Sequence, residues 1–251
     1  MSNSSSKGQL ESSVVQTQPY DGYFKYDQGV ARDYEKDRQV ESHWWREDEF
    51  IQEYFTGRKV QNLLDLPVGT GRFFRHYTGV KRLVGIDISE EMLNQARKNL
   101  SLLPQGVTAV LECGDVFDLH FGQREFDVTI VWRLLHLLPQ KLLGPAIKEL
   151  CRVSSAELVV QTYVPASGWK KTIGAAFSKI ISPARRPTVE TKPWSHIQAY
   201  FHEQSLIDSL FYDCGFSCVG SRILGHYGAS AVRGSVYTLG IPGHRRDAFR
   251  S

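Results

Sequence analysis

Short apolar runs recur along the middle of the chain, separated by polar or glycine-containing turns. The first five, at 63–66, 83–86, 107–111, 126–132 and 157–164, are too short for helices. Runs of this length, bounded by turn residues, are typical of parallel strands that are buried on both faces. Two later runs, at 216–223 and 235–240, predict two further strands that close the sheet.

Helical patterns lie between and before these strands. Residues 30–55 predict a helix in two pieces that stops at Gly57, with Trp44 and Trp45 both in the core. After the sheet begins, helices are predicted near Gly71, after an N-cap at Ser89 with Met92, Leu93, Ala96 and Leu100 inward, from Pro139 to about residue 152, and over 202–214. Alternating strands and helices predict an α/β fold with a largely parallel sheet.

The chemistry concentrates in residues 62–87. Pro67-Val68-Gly69-Thr70-Gly71 separates the first two strands, and glycines at i and i+2 let a ligand approach the backbone closely. A helix starting near Gly71 would direct its free N–H groups at that ligand. Asp87 ends the second strand, where a carboxylate can accept hydrogen bonds from both hydroxyls of a ribose. The G-x-G-x-x-G dinucleotide pattern is not met, so a pyrophosphate site is disfavoured.

The run D-L-P-V-G-T-G, followed by V-G-I-D-I-S-E-E-M-L, resembles the class I S-adenosylmethionine-dependent methyltransferases. It departs from their usual motif at Pro67, where the family usually has glycine. The resemblance implies a three-layer Rossmann-like fold with a seven-stranded, mostly parallel sheet, an antiparallel last strand and helices on both faces. It also implies S-adenosyl-L-methionine as cofactor and S-adenosyl-L-homocysteine as product.

The same resemblance assigns the cofactor-binding residues by their positions. Ile88 and Met92 would pack against the adenine, Asp115 and Val116 would bond its edge, and backbone at Trp132 and Arg133 would meet the methionine end. For Ile88 and Met92 the alternative is ordinary core packing, and for Asp115 an exposed turn. The full predicted set is Asp65, Pro67, Gly69, Gly71, Asp87, Ile88, Met92, Asp115, Val116, Trp132 and Arg133.

The sequence gives a less specific signal for the residues that bind the acceptor than for those that bind the cofactor. His136 falls where many relatives carry a histidine beside the acceptor pocket, so it is the first candidate for a general base. A packed core histidine is the alternative, and His196, His202 and His226 are weaker candidates. Other predicted acceptor contacts are Tyr20, Tyr23, Tyr26, Trp169, Trp194 and His196, and the tyrosines could instead pack a cap helix.

These elements divide the chain into a disordered tail (1–18), cap helices (19–57), a methyltransferase domain (58–240) and a basic tail (241–251). A basic insertion at about 165–195 follows the fifth strand. Residues 164–193 carry six lysines and arginines against one acid, a charge of +5, whereas the whole chain carries +3. Three interpretations of the insertion fit its sequence: a lid over the acceptor, a surface for an anionic partner, or a solvated helix face.

The composition bears on the partners and the location of the protein. The small net charge makes nucleic acid an unlikely partner, and no apolar run is long enough to span a membrane. Four cysteines without metal-ligand spacing predict no metal site and a cytoplasmic location.

The sequence therefore predicts methyl transfer to an oxygen or nitrogen of a small or medium-sized, acidic acceptor: a metabolite, a sugar-linked compound or a peptide. The alternatives are a non-catalytic binding or regulatory protein with this fold, and an RNA methyltransferase. The oligomeric state is not predicted.

Overall fold

A single sheet organises the computed structural model, which describes residues 39, 41, 43–165, 199–228 and 230–240. Its strands run in the order β3-β2-β1-β4-β5-β7-β6. The strands are β1 (Val60–Asp65), β2 (Val80–Asp87), β3 (Thr108–Cys113), β4 (Phe126–Val131), β5 (Ser154–Pro165), β6 (Phe216–Tyr227) and β7 (Ser230–Leu239). β1 to β5 pair in parallel, whereas β7 pairs antiparallel with both β5 and β6. The predicted fold class is thus confirmed.

Helices cover both faces of this sheet. One face packs against α1 (Trp44–Phe55) and α2 (Glu90–Lys98), and the other against α3 (Gln140–Val153) and α4 (Gln204–Asp213). Each face has its own apolar cluster, which is why the central strands carry almost unbroken apolar runs.

The strand order reverses at β1. This strand pairs with β2 on one side and with β4 on the other, so Leu64 lies opposite both Val84 and Thr129. In open parallel sheets such a reversal leaves a crevice outside the carboxyl ends of the strands. The loops after β1, β2 and β4 therefore converge on one place.

The predicted helix near Gly71 is wrong. Only a 3-10 turn, Phe74–His76, lies between β1 and β2. The connection is short and must bury Phe73, Phe74 and Tyr77 together, all at most 6% exposed. An α-helix presents one stripe to the core and needs several turns to be stable, so this connection leaves no room for it.

Two predicted core positions are also wrong. Trp45 is 62% exposed, because α1 buries the face that carries Trp44, Phe50 and Ile51 and turns the adjacent residue to solvent. Leu100 is 36% exposed, because α2 ends at Lys98 and a separate 3-10 turn follows.

Several predictions lie outside the described residues. These are the tails at 1–18 and 241–251, almost all of the insertion, and the acceptor candidates Tyr20, Tyr23, Tyr26, Trp169, Trp194 and His196. Within the described ranges, no helix is long and apolar enough to cross a membrane. The same residues include no group of three or more His, Cys, Asp or Glu side chains that could hold a metal ion.

Candidate cofactor site

A cleft opens where the loops after β1, β2 and β4 converge. Its walls are mostly apolar with a few charged groups, as is usual for small-molecule sites. The lining residues are Leu66, Pro67, Val68, Gly69, Thr70, Arg72, Phe73, Asp87, Ile88, Met92, Gly114, Val116, Trp132, Arg133, Leu134 and Leu137.

The loop after β1 needs its two glycines. Gly69 has a φ of +56° and Gly71 a φ of +75°, values that other residues rarely adopt. A Cβ atom on Gly71 would also lie 2.4 Å from a ring carbon of Phe74, whose side chain is fully buried. The turn is closed by the Gly71 N–H, which donates to the Val68 carbonyl at 3.0 Å.

Asp87 is bound to this loop at the end of β2. Its carboxylate accepts the Gly69 N–H at 2.9 Å on one oxygen and the Ser89 N–H at 2.9 Å on the other. The residue is only 4% exposed, and burial raises its pKa to about 6 although these N–H groups oppose the rise. Each carboxylate oxygen has more than one acceptor position, so the group can also receive hydroxyl donors from the cleft.

The remaining predicted cofactor residues fall into two groups. Pro67, Ile88, Met92, Val116, Trp132 and Arg133 line the cleft together with Gly69 and Asp87. Asp65, Gly71 and Asp115 are not lining residues, and their contact with a cofactor stays a prediction.

Asp65 is held inside the protein. The Tyr77 hydroxyl donates to its carboxylate at 2.5 Å, and burial together with the charge of Asp87 raises its pKa to about 7. Asp115 is half-buried and accepts the Phe117 N–H at 3.2 Å, as an Asp in a turn often does.

A buried ionic cluster that was not predicted from the sequence lies against the cleft. Glu47 of α1 accepts from Arg72 Nη1 at 2.7 Å and from Arg133 Nη2 at 3.0 Å. Arg133 has a φ of +58°, and its N–H donates to the Gln161 side chain at 3.1 Å. A basic residue directly after Gly71 was the one local clue, since Glu47 is remote from both arginines in sequence.

His136 lies between two lining residues, Leu134 and Leu137, in a 3-10 turn after β4. It is not itself a lining residue. Its ring centroid is 4.5 Å from that of Tyr163 on β5, and its carbonyl accepts the Tyr200 N–H at 2.8 Å. This position beside the cleft is compatible with a role toward an acceptor, which stays a prediction.

His202 has a different environment. Its Nε2 lies 3.2 Å from the Leu135 carbonyl and 3.0 Å from the Leu138 carbonyl, and burial lowers its pKa. These contacts tie the turn after β4 to the segment before α4, which favours a structural role.

The cleft suits a nucleoside that carries an amino-acid chain. The glycine loop provides close backbone approach, and Asp87 provides an acceptor for hydroxyl groups. Trp132 Nε1 is buried and has no hydrogen-bond partner among the described residues, so a donor at the cleft wall is available. Arg72 and Arg133 add two cations suited to a carboxylate.

Residues 63–156 match the family model described as a methyltransferase domain. No curated protein matches the chain by sequence.

Several solved structures share the fold at low identity. Magnesium protoporphyrin IX methyltransferase from Synechocystis PCC 6803, with bound S-adenosylhomocysteine, is 20% identical and gives a TM-score of 0.54, with 84% of each chain covered. The N-methyltransferase NodS from Bradyrhizobium japonicum WM9, with the same ligand, is 14% identical with a TM-score of 0.59, covering 89% of this chain and 100% of that one. The [4+2]-cyclase SpnF is 13% identical with a TM-score of 0.56, covering 78% and 80%.

The matched domain spans the glycine loop, the acid at the end of β2 and the bend after β4, which together contribute to the cleft. With its seven-stranded sheet, the chain has the fold of the class I S-adenosylmethionine-dependent methyltransferases, and its match to a methyltransferase domain supports S-adenosylmethionine as cofactor.

Proposed function

We propose that the protein transfers the methyl group of S-adenosylmethionine to an oxygen or nitrogen of a small or medium-sized, acidic acceptor. The observation that carries the methyl-donor half of this proposal is the joining of Gly69 and Asp87 by a hydrogen bond at the cleft. Gly69, Asp87, Ile88, Met92 and Trp132 would hold the cofactor, since all five line the cleft.

When bound, the cofactor supplies a methyl group already activated on a sulfonium. What remains for the chain is to orient the acceptor and to exclude water, and orientation alone can contribute about 7–11 kcal/mol. The apolar side chains of Leu134, Leu137 and Val116, which line the cleft, would help to exclude water from it. No side chain has to act as a nucleophile.

The acceptor would enter on the side of β4 and β5. His136 and Tyr163 stand there, and Tyr163 is 6% exposed within a group of aromatic rings that includes Tyr227 at 5.7 Å. His136 could remove a proton from a hydroxyl or ammonium acceptor, a contribution of about 10²–10⁴-fold to the rate. A carboxylate acceptor would need no base.

The acidic acceptor is proposed from charge. Six lysines and arginines against one acid at 164–193 would attract an anionic acceptor. Reversing the charge of Lys170, Lys171, Arg185 and Arg186 should raise the acceptor KM about tenfold or more, while the Kd for S-adenosylhomocysteine stays the same. Steady-state kinetics at low salt would measure the change. An unchanged KM would contradict the acidic acceptor.

Identification of the acceptor requires a screen. The protein would be incubated with S-adenosylmethionine and pools of carboxylates, phosphorylated or sugar-linked metabolites and peptides, and products would be detected by a mass increase of one methyl group. We expect methylated products in the acidic pools and none with an Asp87→Ala variant. Cofactor binding without any methylated product across the pools would favour the alternative of a non-catalytic protein. That alternative deserves the test because the cyclase SpnF shares this fold.

Cofactor binding should depend on pH through Asp87. Its pKa in the free protein is about 6, so the carboxylate is ionised above this pH and protonated below it. We expect the ionised Asp87 carboxylate to accept hydrogen bonds from the ribose hydroxyls. The affinity should then follow the ionised fraction of Asp87, so the Kd for S-adenosylhomocysteine should rise about tenfold when the pH is lowered from 7.5 to 5. Calorimetry at several pH values would measure it.

The matched control for this titration is Asp87→Asn, which keeps the shape of the side chain and removes the titration. Its Kd should be weak and nearly independent of pH. A wild-type Kd that is the same at both pH values would show that the charge of Asp87 does not contribute to cofactor binding.

A further inference from the structure

Glu47 is a fully buried carboxylate on α1, outside the matched domain at 63–156. Besides Arg72 and Arg133, its side chain accepts a short hydrogen bond from the Gln161 amide and lies 3.5 Å from His43. Burial opposes its ionisation, but the two arginines lower its pKa below the ordinary value, so it is charged at neutral pH.

The two arginines bound by Glu47 form part of the cleft wall. Together with Asp87 they are the charged residues among those that line it. Both are at most 9% exposed, so a carboxylate that reached them would meet cations shielded from water.

The helix that the sequence predicts near Gly71, whose N-terminus would have supplied positive charge to the cleft, is not formed. Because Gly71 leads into a 3-10 turn, no α-helical N-terminus follows the glycine loop. Arg72 comes from that loop and Arg133 from the bend after β4, so the positive charge of the cleft comes from two separate segments. Glu47 is the group that bonds to both.

We propose that Glu47 is a positioning residue, which holds Arg72 and Arg133 in place to bind the carboxylate at the amino-acid end of S-adenosylmethionine. The inference rests on the proposed function, since it concerns the same cofactor. Arg133 also pairs with Glu41 at 2.8 Å, and Arg72 also donates to the Trp44 carbonyl, but among the described residues Glu47 is the carboxylate that bonds to both. Arginine side chains are long and two guanidinium groups repel each other, so a carboxylate shared between them fixes their positions relative to each other. In this way α1 completes a site whose other parts belong to the matched domain.

A pair of ligands separates this role from a purely structural one. S-adenosylhomocysteine carries the amino-acid end, whereas 5′-methylthioadenosine has the same nucleoside and sulfur without it. Glu47→Gln should raise the Kd for S-adenosylhomocysteine about tenfold or more, the value of a charge-assisted hydrogen bond. The Kd for 5′-methylthioadenosine should change by less than about twofold, because no contact to the nucleoside is altered.

Calorimetry on the full chain would measure both constants, with folding of each variant checked by near-ultraviolet circular dichroism. Glu53→Gln is the matched control, because Glu53 lies on the same helix but pairs with Arg222 at the surface. It should change neither Kd. If Glu47→Gln does not fold, Glu47→Asp, which keeps the charge and shortens the side chain, would be measured with the same two ligands.

Equal weakening of both ligands by Glu47→Gln, or no weakening of either, would overturn the positioning role. Binding of S-adenosylhomocysteine to the wild-type protein in the same experiment would leave the proposed function standing. Absence of wild-type binding would instead count against the proposed function itself.

Discussion

Replacing Asp87 with alanine should weaken the binding of S-adenosylhomocysteine about 100-fold or more. The change removes the acceptor for the ribose hydroxyls, and each hydrogen bond to a charged group is worth about 1.5–3 kcal/mol. It also releases the Gly69 N–H and the Ser89 N–H, which the carboxylate accepts at 2.9 Å each, so the glycine loop loses its anchor to β2. Isothermal titration calorimetry would measure the loss.

Asp127 supplies the control for this experiment. Its Oδ2 also accepts two backbone N–H groups, from Gln61 at 2.8 Å and Asn62 at 3.0 Å, but at the opposite end of β1 from the cleft. Asp127→Ala should change the Kd by less than about twofold, because it removes a similar pair of hydrogen bonds away from the site. Similar losses in both variants would mean that Asp87 acts through stability alone.

Replacing Glu47 with alanine should lower the free energy of unfolding by about 3–5 kcal/mol, the usual cost of removing one partner from a buried ion pair. The loss is large because Arg72 and Arg133 would both keep their buried charges without the shared carboxylate. Urea denaturation followed by circular dichroism would measure it. Such a loss is a large part of the stability of an ordinary domain.

Glu53→Ala is the corresponding surface control. Glu53 and Arg222 are both exposed by more than a third, and surface pairs of this kind contribute about 0–1 kcal/mol. Equal losses of free energy of unfolding in the two variants would contradict the importance of burial for Glu47.

The sheet and the position of the acid could be predicted because their evidence is local. Each parallel strand contains a short apolar run, such as 63–66 or 83–86, and Asp87 directly follows the apolar run as the last residue of its strand. The carboxyl ends of neighbouring parallel strands meet at one edge of the sheet. The glycine loop and Asp87 are therefore expected to lie close together. The hydrogen bond between Gly69 and Asp87 is the form that this proximity takes.

The helix at Gly71 could not be judged from its own residues. Its sequence allows a helix, but Phe73, Phe74 and Tyr77 are all buried, and a short connection can bury all three only as a tight turn. The cluster around Glu47 was equally hidden. A glutamate on an amphipathic helix ordinarily faces solvent, and only the packing of α1 over the bend after β4 makes it a buried partner of two arginines. In both cases tertiary contacts decide, and no local pattern carries them.

A crystal structure of the protein with S-adenosylhomocysteine tests the central claim most directly. We expect the ligand in the cleft, lying against the protein backbone at Gly69. Its ribose hydroxyls should donate to the Asp87 carboxylate, and its amino-acid carboxylate should contact Arg72 and Arg133. An empty cleft at saturating ligand, with Asp87 bonded only to Gly69 and Ser89, would contradict the assignment of this cleft as the methyl-donor site.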